Sequence, residues 1–410
     1  MSGLEVVRRQ FRLLFSRVFA AMKVLYHHRI ASKDGQYVHL KELSDALIEK
    51  GHELIFVGPK IIETDDFGSD GGVVQSLKKA TPKALYELME FSYSFLDFIM
   101  LMYRIFIFRP DVIYERCNLF FVSGIWAKKL TGIPLLLEVN SPLYQERAKF
   151  GGIALPWLAK WSENYTWSHA DYTLPVTEVL AEEIRTVTGK NNQVVIHNGI
   201  NIEELSKLED IEVEALRQEL GIGQEKTVLG FTGFVREWHK IEQVIDLIHE
   251  HADERLVLLI VGDGPARESL ESHARRLGVE SSVIFTGIVQ RDMVYPHVQL
   301  FDVALQPAVT YYASPLKMFE YLALGKVIVA PDENNIREIL THNRNGLLFD
   351  KAEPDAFKAM LEQALSICAD QRRKAQFSKN ARDTISEKHF TWSENAQKVG
   401  DLFQQLTRQR

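Results

Sequence analysis

Cysteine is almost missing from this chain. Cys117 and Cys368 are the only two in 410 residues, and they stand far apart without metal-ligand spacing. That excludes a disulfide framework and a cysteine-built zinc site, and it fits buried thiols in a reducing compartment. An excess of positive charge is missing too: 48 lysines and arginines face 55 acidic residues, for a formal net charge of −7. A nucleic-acid binder would normally carry a strongly basic face, so none is expected as a partner. No long unbroken apolar run is present. The best candidate for a membrane span, Phe95 to Phe108, carries Asp97 and Arg104 and is shorter than the roughly 20 residues a bilayer requires. A three-glycine dinucleotide fingerprint is absent, which argues against a nicotinamide-dependent redox enzyme. No metal cluster stands out either; Asp65 and Asp66 are adjacent but fall in a loop rather than at a strand end. The expected location is cytoplasmic.

The first 21 residues lack the uninterrupted apolar core of a signal peptide. Arg8, Arg9, Arg12 and Arg17 interleave with Phe11, Leu13, Leu14, Phe15 and Phe19, and Arg17 breaks the run. Two readings stay open: a frayed extension ahead of a first strand that opens at Met22, or a basic amphipathic helix lying on an anionic membrane.

What is present is alternation. Short β-rich runs trade places with helical patterns along the whole chain, the signature of parallel sheets with crossover helices. The first set is a strand over Lys23–His28, a helix over Gly35–Glu49, a strand over His52–Gly58 and a Gly-rich loop at Phe67–Val73. A long amphipathic helix over Leu85–Ile107 follows, then strands over Asp111–Arg116, Pro134–Asn140 and Tyr172–Val176. A second set begins with strands at Lys226–Thr232 and Arg255–Val261, and continues with Val283–Gly287, Asp302–Gln306 and Val327–Ala330. The chain is long enough for two α/β domains. They are placed at 22–198 and 199–389, facing a cleft beyond the carboxyl ends of their strands.

The most informative segment is Ala313-Ser-Pro-Leu-Lys-Met-Phe-Glu-Tyr-Leu-Ala-Leu-Gly325. Ser314 suits an N-cap, Pro315 a first turn and Gly325 a C-terminal stop. Lys317 then sits in the positive first turn, which is unfavourable unless an anion lies beside it. With the amides of Leu316 and Lys317 it makes a site for phosphate or diphosphate, or it is a plain surface lysine. Glu320 lies one turn deeper and either accepts from ribose hydroxyls or pairs with Lys317. Two loops fit a nucleotide in the same way. Gly262-Asp263-Gly264-Pro265 follows a strand and allows close backbone approach, or is a tight turn. The run from Gly233 to Lys240 crowds Arg236, His239 and Lys240 after the first strand of the domain, as a phosphate clamp or a solvated loop.

In their order and spacing these pieces resemble the family-four retaining glycosyltransferases of the GT-B fold. The resemblance runs from Met22 onward. It rests on Asn198-Gly199, the Gly233 to His239 loop, Gly262 to Pro265, Phe285-Thr-Gly287, Ser314 to Glu320 and Asn345-Gly-Leu-Leu348. It implies two Rossmann-like domains, with the last helix, about 390–410, returning to the first. It implies a nucleotide-diphosphate sugar donor, UDP- or GDP-linked, as substrate, with no metal and no cofactor. By the same resemblance Arg236 and His239 match a basic pair on the diphosphate, His239 standing where lysine is usual. Leu316 and Lys317 would hold the phosphates and Glu320 the ribose. Main-chain groups near Val289 would read the base, and Gly35 lies in the loop that approaches the donor. Glu138 and Asn140 would orient the acceptor or sugar.

Two positions depart from the family pattern. A glutamate common eight residues before the ribose-binding one is Tyr312 here, and a histidine frequent after the strand ending at Asn140 is replaced by the run Glu138-Val-Asn-Ser-Pro142. The expected reaction is transfer with retention to a glycan, lipid-linked or small-molecule acceptor. A non-catalytic subunit of the same fold and a sugar-nucleotide epimerase are the alternatives. Phe95, Phe98, Ile99, Met102, Ile105 and Phe106 could line one face of the long helix, as core or as a docking surface for a lipid-linked acceptor at the inner face of a membrane.

Overall fold

Strands that are apolar at every position need cover on both faces, and here they form the interiors of two parallel sheets. The computed structural model describes residues 21–31, 35–59, 81–206 and 213–408. The basic stretch over 1–20, Ser32 to Asp34, Asp65-Asp66 and the Phe67–Val73 loop lie outside the described residues.

The first sheet holds β1 (Lys23–His27), β2 (Glu53–Val57), β3 (Val112–Arg116), β4 (Leu135–Val139) and β5 (Tyr172–Pro175) in the order β2-β1-β3-β4-β5. The second holds β6 (Thr227–Thr232), β7 (Leu256–Val261), β8 (Val283–Phe285), β9 (Val303–Leu305), β10 (Val327–Pro331) and β11 (Leu347–Phe349) in the order β11-β10-β9-β6-β7-β8. Every strand pairing is parallel. In each sheet the chain builds outward on one side of its first strand, then crosses to the other side. The switch points therefore fall between β1 and β3 and between β6 and β9. Loops diverge there and leave a crevice at the carboxyl ends of the strands. The loops after β6 and β9 are the two that carry Arg236 and Ser314.

The chain passes between the sheets twice, side by side. Ile200 N–H donates to Phe390 O at 3.0 Å and Trp392 N–H donates to Ile200 O at 3.3 Å. A side chain on Gly199 would stand 2.8 Å from the backbone at Thr391 and Trp392, so the crossing needs glycine. The final helix, Trp392–Arg408, then packs Trp392, Ala396, Val399 and Phe403 with Leu40, Leu43 and Leu47 of the Gly35–Glu49 helix.

The long helix spans Lys83–Phe108, 26 residues, and is long and apolar enough to cross a membrane by length and composition. That corrects the shorter estimate from Phe95 to Phe108. Its apolar residues also do not share one face. Ile105 is buried and Phe98 and Met102 are partly buried, while Phe95, Ile99 and Phe106 are 56%, 65% and 79% exposed. Acidic groups fix which side faces inward. Glu87 accepts from the amides of Ala154 and Leu155 at 2.9 and 2.7 Å. Asp97 accepts from Ser123 Oγ at 2.6 Å and pairs with His27 at 3.0 Å. Glu115 holds the other ring nitrogen of His27 at 2.7 Å. Burial alone would depress the His27 pKa, but bonds to Asp97 and Glu115 raise it to about 9, so the imidazolium persists at neutral pH.

Candidate functional site

Beyond the second switch point, the Leu316–Ala323 helix aims its first turn at the loop after β6. Lys317 is half-buried, with its ammonium 3.6 Å from the centre of the Phe231 ring. Gly233 has φ 128°, and a methyl there would sit 3.3 Å from Lys317 Nζ. Burial pulls the Lys317 pKa down to about 7, with Glu320 opposing. The amides of Leu316 and Lys317 donate to no group among the described residues. Pro315 occupies the N-cap and no side chain caps the helix. Ser314 is thus not the expected cap. Its hydroxyl accepts from the Asn198 amide at 3.3 Å and its carbonyl from Asn198 Nδ2, which ties it to the interdomain crossing. The first turn is left as an uncapped, positive helix end.

The neighbouring loops carry the other candidate residues. The Arg236 guanidinium lies over the rings of Phe234 and Trp238 at 4.7 and 4.8 Å. His239 is not its cationic partner here. His239 Nδ1 accepts from the Arg236 amide at 3.2 Å, and burial, with Lys317 and Arg236 nearby, pushes its pKa down to about 2. Gly262 and Gly264 do allow close approach, but to the protein itself: side chains there would stand 2.2 Å from Gly233 O and Val235 O. Asp263 accepts from the Gly264 amide at 2.7 Å and pairs with Arg267 at 3.0 Å. Val289 packs partly buried against the core. From the facing domain Gly35 comes near the donor turn, where a methyl would touch Leu316 at 3.9 Å.

Glu320 is buried and pairs with Arg291 rather than with Lys317. Arg291 Nη1 donates to Glu320 Oε1 at 2.6 Å and Nη2 to the Tyr295 hydroxyl at 2.9 Å. Glu320 Oε2 forms no hydrogen bond among the described residues. Arg291 escaped the sequence reading because an arginine in a first helical turn, far from Glu320 in sequence, announces nothing.

The first domain supplies a second cluster. Glu138 is 2% exposed, so any part it has in orienting an acceptor or sugar runs through the residues it holds. It accepts from Tyr26 at 3.1 Å and Tyr114 at 3.0 Å, and also from Arg116 and Asn140, with His39 at 3.2 Å. Burial would raise its pKa, but His39 and Arg116 hold it below the usual carboxylate value. What Glu138 positions is Arg116 and Asn140, and these line a cavity of about 290 Å³ between the domains, with Glu146, Trp238 and Tyr312. A larger cavity of about 880 Å³ adjoins through Glu146, Trp238 and Tyr312. Lys317 and Glu320 line neither, being closed over by Phe231 and Arg291. Arg116 was missed because a strand-end arginine has no pattern of its own.

Two parallel α/β sheets that meet at a cleft on their switch points define a GT-B protein. The solved structure of Anabaena HepE with UDP-glucose has this fold, with a TM-score of 0.68 at 18% identity over 94% of this chain and 100% of that one. The profile of Glycosyltransferase Family 4 matches residues 33–204, and that of Glycosyl transferases group 1 matches 212–384. This chain belongs to the group 1, family-four type glycosyltransferases. It is 24% identical over 393 residues to an uncharacterized glycosyltransferase of Methanocaldococcus jannaschii, covering 90% of this chain and 94% of the relative. To the alpha-maltose-1-phosphate synthase of Mycolicibacterium smegmatis it is 24% identical, covering 70% and 76%.

Proposed function

We propose that this chain moves a sugar from a nucleotide-diphosphate donor, held by the Ser314–Glu320 turn, to an acceptor presented at a membrane surface. The observation that carries the reading is the uncapped helix end at Leu316 and Lys317, with the Lys317 ammonium against Phe231 and no bonded anion beside it among the described residues. Such a site stabilises the charge that grows on a leaving diphosphate, in place of a metal ion. The anomeric C–O bond to phosphate breaks as the acceptor oxygen bonds on the same face, with retention, and the acceptor proton passes to the departing phosphate oxygen. In this reading Glu320 accepts from ribose through Oε2, once Arg291 gives way. The UDP-glucose in the Anabaena relative supports a sugar nucleotide as donor. In a thermal-shift screen of UDP-, GDP- and ADP-sugars, the right one at 100 times its Kd adds about 2.7 kcal/mol and raises the Tm by several degrees. A uniform absence of shift contradicts the reading.

The outward face of the long helix supports the membrane acceptor. Leu96, Ile99, Tyr103 and Phe106 are exposed there, and Trp157 is 68% exposed on the neighbouring helix. The acids of the long helix are withdrawn: Glu87 and Asp97 are buried and Glu90 is paired with Arg147 at 2.7 Å. Its exposed charges, Lys83, Arg104 and Arg109, are all basic. An apolar face with only cations around it suits an anionic lipid surface. Because Glu87 and Asp97 bond to protein, the helix lies on the membrane rather than across it. The protein is expected to float with vesicles containing phosphatidylglycerol, and Ile99→Glu with Phe106→Glu is expected to abolish this. Failure to float, or dimerisation that the double variant disrupts, contradicts the lipid assignment.

A further inference from the structure

The cleft cavity has one carboxylate on its wall among the described residues, Glu146. It rides on the helix Leu143–Phe150 of the first domain, in its first turn, where the helix dipole favours a negative charge. That helix is clamped onto the second domain on both sides of Glu146. The Tyr311 hydroxyl donates to Gln145 Oε1 at 2.9 Å, and the rings of Phe150 and Trp238 lie 5.0 Å apart. Between those anchors Glu146 shares the cavity wall with Tyr312 of the second domain. Tyr312 is buried, and its carbonyl accepts from Thr177 Oγ1 at 3.0 Å, which ties its backbone to the first domain. Arg116 and Asn140 complete the wall from the first domain.

Sugar transfer builds positive charge on the ring as the bond to phosphate breaks. The Lys317 cation at the donor turn serves the leaving diphosphate and does nothing for the ring. A carboxylate on the other side would offset that charge, and position 312, where the resembling family carries glutamate, offers a neutral phenol. We propose that Glu146 is the carboxylate that faces the transferred sugar, delivered from the opposite domain to stand beside Tyr312. This rests on the donor assignment above. Glu146 forms no bond to the sugar; its negative charge offsets the charge developing on the ring. A consequence is that the full electrostatic set exists only when the domains are apposed, since Lys317 and Glu146 belong to different halves. An open molecule with donor bound then hydrolyses it slowly.

The test uses the full chain with UDP-glucose, UDP-N-acetylglucosamine and GDP-mannose in parallel, measuring release of nucleoside diphosphate. Glu146→Gln is expected to lower kcat by about 10²-fold or more with the donor KM within about threefold. Its thermal shift with the free nucleoside diphosphate is expected to match the wild type, which certifies its fold. Adding Tyr312→Glu to Glu146→Gln restores a carboxylate from the other side and is expected to recover kcat at least tenfold. A Glu146→Gln protein with wild-type kcat, or one whose loss lies entirely in KM, overturns this assignment and leaves the donor site standing. A wild-type protein that binds and turns over none of the three donors, or any other sugar nucleotide, overturns the donor reading and this inference with it.

Discussion

Lys317→Met is expected to lower kcat/KM for sugar transfer by about 10²- to 10³-fold, the loss seen when one preorganised charge-stabilising donor is removed, while the Tm holds or rises. The two halves of that result have one cause. The Lys317 ammonium is packed on Phe231 without a bonded anion, and burial has drawn its pKa down to about 7. A charge held this way costs stability until a diphosphate meets it. The sign follows directly. An unfolded lysine near 10.5 binds more protons than the folded one between about pH 7 and 10.5, so the penalty is full below pH 7 and fades as pH rises. The stability advantage of Lys317→Met is therefore largest at pH 6 and disappears by pH 10. Donor binding restores the ammonium, so at pH 8 it takes up a proton and at pH 5.5 it does not. Calorimetric titration with UDP in buffers of different ionisation enthalpy reads that difference.

Glu138→Ala is expected to lose about 3–5 kcal/mol of stability and about 10 °C in Tm, because it leaves a buried Arg116 without its carboxylate. Two tyrosines, His39 and Asn140 lose a partner in the same step. The effect depends on acid in a defined direction. Glu138 has a pKa below its usual 4.5, so its contribution is present above that value and is lost as the pH falls through the depressed one. Wild type and Glu138→Ala should converge in Tm only under strong acid. The variant is also expected to be inactive, since Arg116 and Asn140 at the cleft rest on this carboxylate. Equal melting temperatures at pH 7 would show that Glu138 is not the anchor.

The sheets were legible because strands such as Leu256–Val261 are apolar throughout and sit between turn signals. The donor turn was legible because Pro315, Lys317 and Gly325 each have a local meaning; Gly325 takes φ 66° at the helix end as expected. What escaped were properties set by distant partners. Glu138 stands at a strand end as a candidate to orient the acceptor or sugar, and its enclosure by Tyr26 and Tyr114 from other strands has no local signal. His239 looked basic, but burial, with Lys317 and Arg236 nearby, lowers its pKa. Ser314 had the chemistry of a cap and was claimed by Asn198, 116 positions away. The three-residue strand β11 is too short to show a period, and its place is fixed by pairing with β10.

A crystal structure of the protein with UDP bears most directly on the whole account. Phosphate oxygens are expected about 3 Å from the amides of Leu316 and Lys317, with Nζ of Lys317 moved off the Phe231 ring onto the diphosphate and ribose on Glu320. Lys317 still on Phe231, Arg291 still covering Glu320 and the nucleotide bound elsewhere would contradict it.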